Sequence, residues 1–290
     1  MKTIKAQHKA VYEPIADLIT YRAMPTHSVP MNLLDPFIFL NHHGWQDYHP
    51  HNNGLPFGPH PHRGFETVTF ILEGDLTHKD SSGVVSVIKK GGVQWMRAGS
   101  GLIHAEVSSP EFKALGGPLE ILQLWVNLPS KYKMTEPKYA GLQKEDIPVA
   151  EYDNGKVAAH IVSGDWNGVK GPFEPLTDIH LSFVYFKEGG KYTIQVTKEQ
   201  NVFLYIVKGE IKVNGDFARI HHLIEFNRDG QIIEMKATAD AIILLGYATP
   251  FNEPFFAYGP FVMNTREEIM QAYEDMKNGK FGDEEALLEP

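Results

Sequence analysis

The chain alternates short apolar runs with turn-forming residues along nearly its whole length. Thr67-Val68-Thr69-Phe70-Ile71-Leu72 is β-branched and aromatic and closes on Glu73-Gly74-Asp75. Residues 84–88 follow the turn Asp80-Ser81-Ser82-Gly83, and 121–126 have the same texture. It returns at 181–186, 202–207 and 242–245. Short strands at regular intervals, punctuated by Gly, Pro, Asn and Asp, predict an all-β chain built as sandwiches or barrels. One segment breaks the pattern. Thr265 and Glu268 form a capping-box pair, Ile269, Ala272, Tyr273 and Met276 make an apolar stripe, and Gly279 stands where a helix end is capped. That predicts a C-terminal helix packed on the outside of a β domain.

A weak repeat adds the organisation. Residues 69–76 align with 204–211, placing Gly74 against Gly209, 135 positions later and close to half of the 290 residues. Two tandem β domains follow. Between the repeats lies a stretch of low periodicity with Pro129, Pro137, Pro148, Pro172 and Pro175. The predicted division is 1–145 and 146–290.

At 42% hydrophobic and 22% charged the composition is that of ordinary globular chains. The absence of cysteine excludes disulfides, thiolate nucleophiles and thiolate-held clusters, so any metal must sit on histidine and carboxylate. A net charge of −9 argues against direct nucleic-acid binding through the overall field. No apolar stretch approaches the roughly 18 residues of a membrane helix, and no apolar run follows the two N-terminal lysines. The expectation is a soluble cytoplasmic protein with no membrane contact.

The fourteen histidines are unevenly placed: ten precede residue 105, and eight lie between His42 and His104. In an extended strand, residues two apart share a face, so His60-Pro61-His62 presents two imidazoles together, and His104-Ala105-Glu106 presents an imidazole and a carboxylate. Glu66 is an even step from His62 and shares that face if the strand is unbroken. Shifting 60, 62, 104 and 106 by the repeat offset lands on Gln195, Thr197, Ala239 and Ala241, which are not strong ligands. The C-terminal domain is therefore expected to be metal-free, with His160, His180, His221 and His222 structural or at the surface.

Gly54, His60, His62, Glu66 and Gly74 resemble the first cupin motif, with the last gap one residue longer than usual. Gly99-Ser100-Gly101-Leu102-Ile103-His104 resembles the second, with Gly99 in place of its proline and Ser108 in place of its terminal asparagine. Residues 59–68, 94–106 and 122–128, together with Gly259-Pro260-Phe261-Val262-Met263-Asn264-Thr265, narrow the likeness to the pirins. The resemblance implies two tandem cupin barrels of the jelly-roll, or double-stranded β-helix, type. It also implies one divalent transition metal on His60, His62, His104 and Glu106, with iron(II) first and Mn, Co, Ni, Cu or Zn compatible. The implied reaction is ring-opening dioxygenation of a planar aromatic flavonol such as quercetin by O2, with Glu106 as general base. By motif position, Phe57 and Trp125 are candidate walls and Arg63 a partner for phenolate charge. The alternative is an iron-dependent redox-sensing module that regulates a protein partner without turnover.

Overall fold

A computed structural model describes residues 1–284 and 287. The chain folds as two β units. One comprises Met1–Tyr12, Tyr21–Ile38 and Asp146–Pro250; the other comprises Glu13–Thr20, Phe39–Glu145 and Phe251–Pro290. The chain passes from one unit to the other at 145/146, and each unit also takes up one end of the chain from the opposite half. The first strand, β1 (Ile4–Lys9), pairs antiparallel with His222–Phe226 in the unit formed mainly by the C-terminal half. The described residues from Phe251 onward belong to the unit formed by the N-terminal half. Burial alternation within a strand cannot reveal which sheet edge that strand joins, so nothing in the local pattern announced the exchange.

The N-terminal unit contains β2 (Phe37–Tyr48, from Phe39 on), β3 (Phe57–His62), β4 (Phe65–Glu73), β5 (Asp75–Asp80), β6 (Val85–Lys89), β7 (Val93–Arg97), β8 (Leu102–Val107), helix α1 (Pro110–Leu115), β9 (Gly117–Asn127) and β10 (Lys138–Leu142). They form two antiparallel sheets, ordered β3-β8-β5-β6 and β10-β7-β4-β9-β2. β3 lies at a sheet edge, which is where Pro59 and Pro61 are tolerated, because an edge strand need not donate every N–H to a neighbour. Inside the barrel, Leu76, Ile88, Phe112, Leu119 and Ile121 join an apolar cluster. α1 was not anticipated: Ser109 caps it by accepting from the Phe112 N–H at 3.0 Å with Pro110 next in line, but six residues are too few to show helical periodicity.

The other unit repeats the topology. β11 (Val149–Tyr152), β12 (Val157–Ser163), β13 (Ile179–Phe186), β14 (Lys191–Gln195), β15 (Asn201–Lys208), β16 (Glu210–Val213), β17 (Asp216–Arg219), β18 (His222–Phe226), β19 (Ile232–Ala237) and β20 (Ala241–Ala248) form sheets ordered β1-β18-β15-β20-β13-β12-β11 and β14-β19-β16-β17. By strand order, β14 and β19 are the counterparts of β3 and β8. Their buried residues are Tyr192, Ile194, Ile233, Met235 and Ala237, which join one continuous apolar core. The constant offset of 135 overshoots here: Ala239 lies past the end of β19. Neither β14 nor β19 contains a histidine.

The predicted helix is α2 (Arg266–Lys277). Thr265 accepts from the Glu268 N–H at 3.2 Å, and the Glu268 carboxylate accepts from the Thr265 N–H at 3.0 Å. Ile269 and Ala272 pack with Ile103, Phe261 and Phe281. Among the described residues no helix is long and apolar enough to cross a membrane.

The close-packed core of the C-terminal barrel has a direct test. Ile206 is fully buried in it, and Ile206→Ala is expected to lower the unfolding free energy by about 3 kcal/mol. An unchanged urea midpoint would mean that this interior is not tightly packed.

Candidate metal centre

β3 and β8 run side by side with His104 opposite His60 and Leu102 opposite His62. This register brings the three imidazoles together: one nitrogen from each lies within 4.8 Å of the others. The ring centroids are 4.3 Å apart for His60–His104, 5.0 Å for His62–His104 and 4.8 Å for His60–His62. Among the described residues this is the gathered set of potential ligands.

Hydrogen bonds orient two of the rings. His60 Nδ1 is 2.7 Å from the Gly58 carbonyl and His62 Nδ1 is 3.2 Å from the Pro260 carbonyl. A carbonyl only accepts, so both rings carry a proton on Nδ1, and Nε2 is the nitrogen left to face a metal. His104 is fully buried, and neither of its ring nitrogens has a hydrogen-bond partner. Burial, and then the charge of neighbouring His60, holds His62 and His104 well below the ordinary imidazole range; His62 and His78 add to the effect on His104. Imidazoles converging around an unpartnered nitrogen fit a transition-metal ion.

Glu106 stands apart from the three imidazoles. It follows His104 by two residues and faces the same interior, but its oxygens are not among the gathered atoms. Gln94 Nε2 donates to Oε1, and Gln123 Nε2 donates to Oε2 at 3.0 Å. The Thr69 hydroxyl lies 3.1 Å from Oε1 and 2.6 Å from Gln123 Oε1. Burial pushes the Tyr139 hydroxyl up to about 12, so it keeps its proton and donates to Gln94 Oε1 at 3.1 Å, which turns the Gln94 amide nitrogen toward Glu106. Sequence reasoning missed Gln94, Gln123, Thr69 and Tyr139. The available signal was a pair of glutamines, each inside an otherwise apolar strand.

Glu66 does not share the ligand face. The chain turns at Arg63-Gly64, where Gly64 has φ +87°, and Glu66 restarts on β4 in the other sheet. There Thr69 reaches Glu106 inside the barrel, so Glu66 lies on the opposite face of β4, where it is buried and pairs with Arg97 Nε at 3.0 Å. Arg63 is also corrected. It is buried, with Nη1 2.9 Å from Asp275, Nε donating to the Ser100 carbonyl at 2.7 Å, and its guanidinium 4.6 Å from the Phe281 ring centroid. It serves the C-terminal segment rather than a substrate.

Trp125 and Phe57 both lie near the histidine cluster. Trp125 is half-buried, 5.3 Å from His62 by ring centroid, 4.4 Å from Phe65 and stacked on Phe39 at 4.5 Å. Phe57 is half-buried 5.3 Å from His43 and borders, with His60, an open cleft of about 390 Å³. His78, not singled out in the sequence, is buried beside the site: it bonds Asp80 at 2.9 Å, stacks on Tyr139 at 4.0 Å and lies 5.4 Å from His104.

Comparison with known proteins shows the family of the chain. The pirin family model matches residues 18–126, and that of the pirin C-terminal cupin domain matches residues 183–282. A pirin-like protein of Caulobacter vibrioides is 37% identical over 86% of this chain and 88% of its own length. Human pirin is 37% identical over 87% of this chain and 85% of its own. The crystal structure of a quercetin 2,3-dioxygenase from Acinetobacter baumannii shares 35% identity at a TM-score of 0.92, covering 98% of this chain and 99% of that one.

Two measurements follow. Protein loaded with iron(II) and desalted is expected to retain about one ion per chain, lost in the His60→Ala/His62→Ala double variant; equal retention by both would place the metal elsewhere. After chelation, pH becomes the probe. Unfolded imidazoles take up protons near 6.5 whereas folded His62 and His104 do not, so stability is complete above that pH and falls as pH drops from about 7 to 5. The slope is expected to reach roughly 1.4 kcal/mol per pH unit for each imidazole and to flatten in His104→Gln. An identical pH dependence in that variant would show that His104 is not held neutral.

Proposed function

The chain belongs to the pirin family, and from that premise we propose that its histidine centre holds one divalent transition metal, iron(II) first, and opens the ring of a flavonol such as quercetin with O2. The observation that carries the proposal is the buried, unpartnered His104 facing His60 and His62 next to an aromatic wall. A solved quercetin 2,3-dioxygenase at 35% identity over nearly the whole chain supports the choice of substrate class.

When bound, the ion supplies a redox-capable Lewis acid for a substrate with adjacent oxygens and for O2. The remaining work falls to the protein. His60, His62 and His104 hold the ion, and Glu106 completes the set; the two amide donors on its oxygens leave lone pairs for a further contact. Glu106 also takes the substrate hydroxyl proton as the flavonolate forms, and its amide and hydroxyl partners keep the carboxylate aimed into the barrel. Trp125, backed by Phe39 and Phe65, offers a flat apolar surface to the substrate rings, and Phe57 lines the approach beside His60. In the overall reaction the carbon bearing the flavonol hydroxyl leaves with its oxygen as carbon monoxide, and both atoms of O2 enter the ester product.

The reading predicts that quercetin absorbance is bleached by iron-loaded protein in air and persists under argon. Glu106→Gln should slow bleaching by at least about 100-fold, the usual weight of a positioned base. Unchanged bleaching in the His60→Ala/His62→Ala variant would remove the catalytic assignment. Metal-loaded wild type that leaves quercetin intact would favour a redox-sensing binding module.

A further inference from the structure

The residues that join the two ligand-bearing strands to the end of the chain suggest a role for that end beyond packing. Pro260 supplies the carbonyl that accepts from His62 Nδ1 at 3.2 Å. The next residues run alongside the turn that follows His62: the Val262 N–H donates to the Arg63 carbonyl at 3.0 Å, and Arg63 and Phe261 form a parallel bridge. A Cβ on Gly64 would stand 2.0 Å from the Val262 carbonyl oxygen, so the approach requires glycine. Lys133, itself buried, closes the contact by donating to the carbonyls of Gly64 at 2.8 Å and Val262 at 2.9 Å, and to Asn127 Oδ1 at 2.7 Å.

Two side-chain anchors hold this segment against the strands. On the β3 side, Asp275 of α2 pairs with Arg63, the residue directly after His62, at 2.9 Å, with both side chains buried. On the β8 side, the Ser81 hydroxyl donates to the Phe281 carbonyl at 2.5 Å and accepts from the Ile103 N–H at 3.1 Å, one residue before His104. The Phe281 ring fills the space above Gly101 and covers the Arg63 guanidinium. Both anchors therefore end one residue from a ligand.

We propose that the segment from Gly259 to Phe281 is a positioning element of the histidine centre, setting the ring orientation and tautomer of His62 through Pro260 and fixing the spacing of β3 and β8 through Asp275 and Ser81. The proposal rests on reading the histidine cluster as a metal site. The chemistry is specific. A neutral imidazole in water prefers its proton on Nε2, the nitrogen that must stay bare here; the Pro260 carbonyl reverses that preference before any ion arrives. Asp275 and Ser81 act through other groups and touch neither metal nor substrate.

The test uses full-length protein with 15N-labelled histidine, the His62 signal being assigned by its loss in His62→Gln. In metal-free wild type, long-range proton–nitrogen spectra are expected to show His62 as the Nδ1–H tautomer. In Asp275→Asn the Nε2–H form should appear and cobalt(II) should bind about tenfold more weakly, the customary cost of losing an outer-shell partner. Asp275→Glu should restore both readouts in part, and Ser81→Ala, which leaves the Arg63 pair intact, should weaken cobalt(II) binding without the tautomer change. A His62 tautomer and a cobalt(II) affinity unchanged in folded Asp275→Asn would overturn the proposal, whatever happens to the melting temperature. If Asp275→Asn does not fold, unchanged cobalt(II) affinity in Ser81→Ala overturns it. Wild type that takes up no cobalt(II) would refute the metal reading, while the tautomer comparison would still decide the role of the segment.

Discussion

The constraint on which the structure depends is the burial of His104 with no hydrogen-bond partner for either ring nitrogen. Leaving a buried polar group unpaired costs on the order of 1–3 kcal/mol. Folding nevertheless places it against two more imidazoles instead of apolar side chains. The surroundings are organised around that choice. An edge strand accommodates prolines on either side of His60, backbone carbonyls hold the Nδ1 protons of His60 and His62, and the turn at Gly64 sends the chain into the other sheet directly after the second ligand.

The two barrels show how one strand order can carry two different interiors. Strand order is the same in the four-stranded sheets of both units, and the hairpin glycines Gly74 and Gly209 occupy matching places after β4 and β15. The difference lies in what points inward. In the N-terminal barrel, β3, β8, β7 and β9 contribute His60, His62, His104, Glu106, Gln94 and Gln123. In the C-terminal barrel the corresponding interior is aliphatic and aromatic from Tyr192 to Tyr247, and its contribution is stability.

Much of this was legible in the linear chain because it depends on short-range periodicity. Alternation located the strands, the Gly74/Gly209 repeat gave two barrels, the pair Thr265/Glu268 gave the helix start, and two-residue spacing picked out His60, His62 and His104. What stayed hidden depends on contacts distant in sequence. The exchange of chain ends, the Arg63–Asp275 pair and the Pro260 carbonyl on His62 each join residues about 200 or more positions apart. The even-step argument for Glu66 failed for a local reason: it assumed an unbroken strand across Arg63-Gly64, and a glycine at positive φ ends the strand there. Glu106 lies on the face that spacing predicted, but its amide partners lie on β7 and β9, where two inward glutamines were the only sign of them.

The central claim is that the three imidazoles of β3 and β8 bind one metal ion. X-ray absorption at the iron K-edge of iron(II)-loaded protein reads this most directly, since imidazole rings leave a recognisable outer-shell scattering pattern. The account predicts a shell of nitrogen and oxygen ligands with the scattering of three imidazoles, falling to two in His104→Ala. A spectrum without imidazole scattering, or one that His104→Ala leaves unchanged, would contradict it.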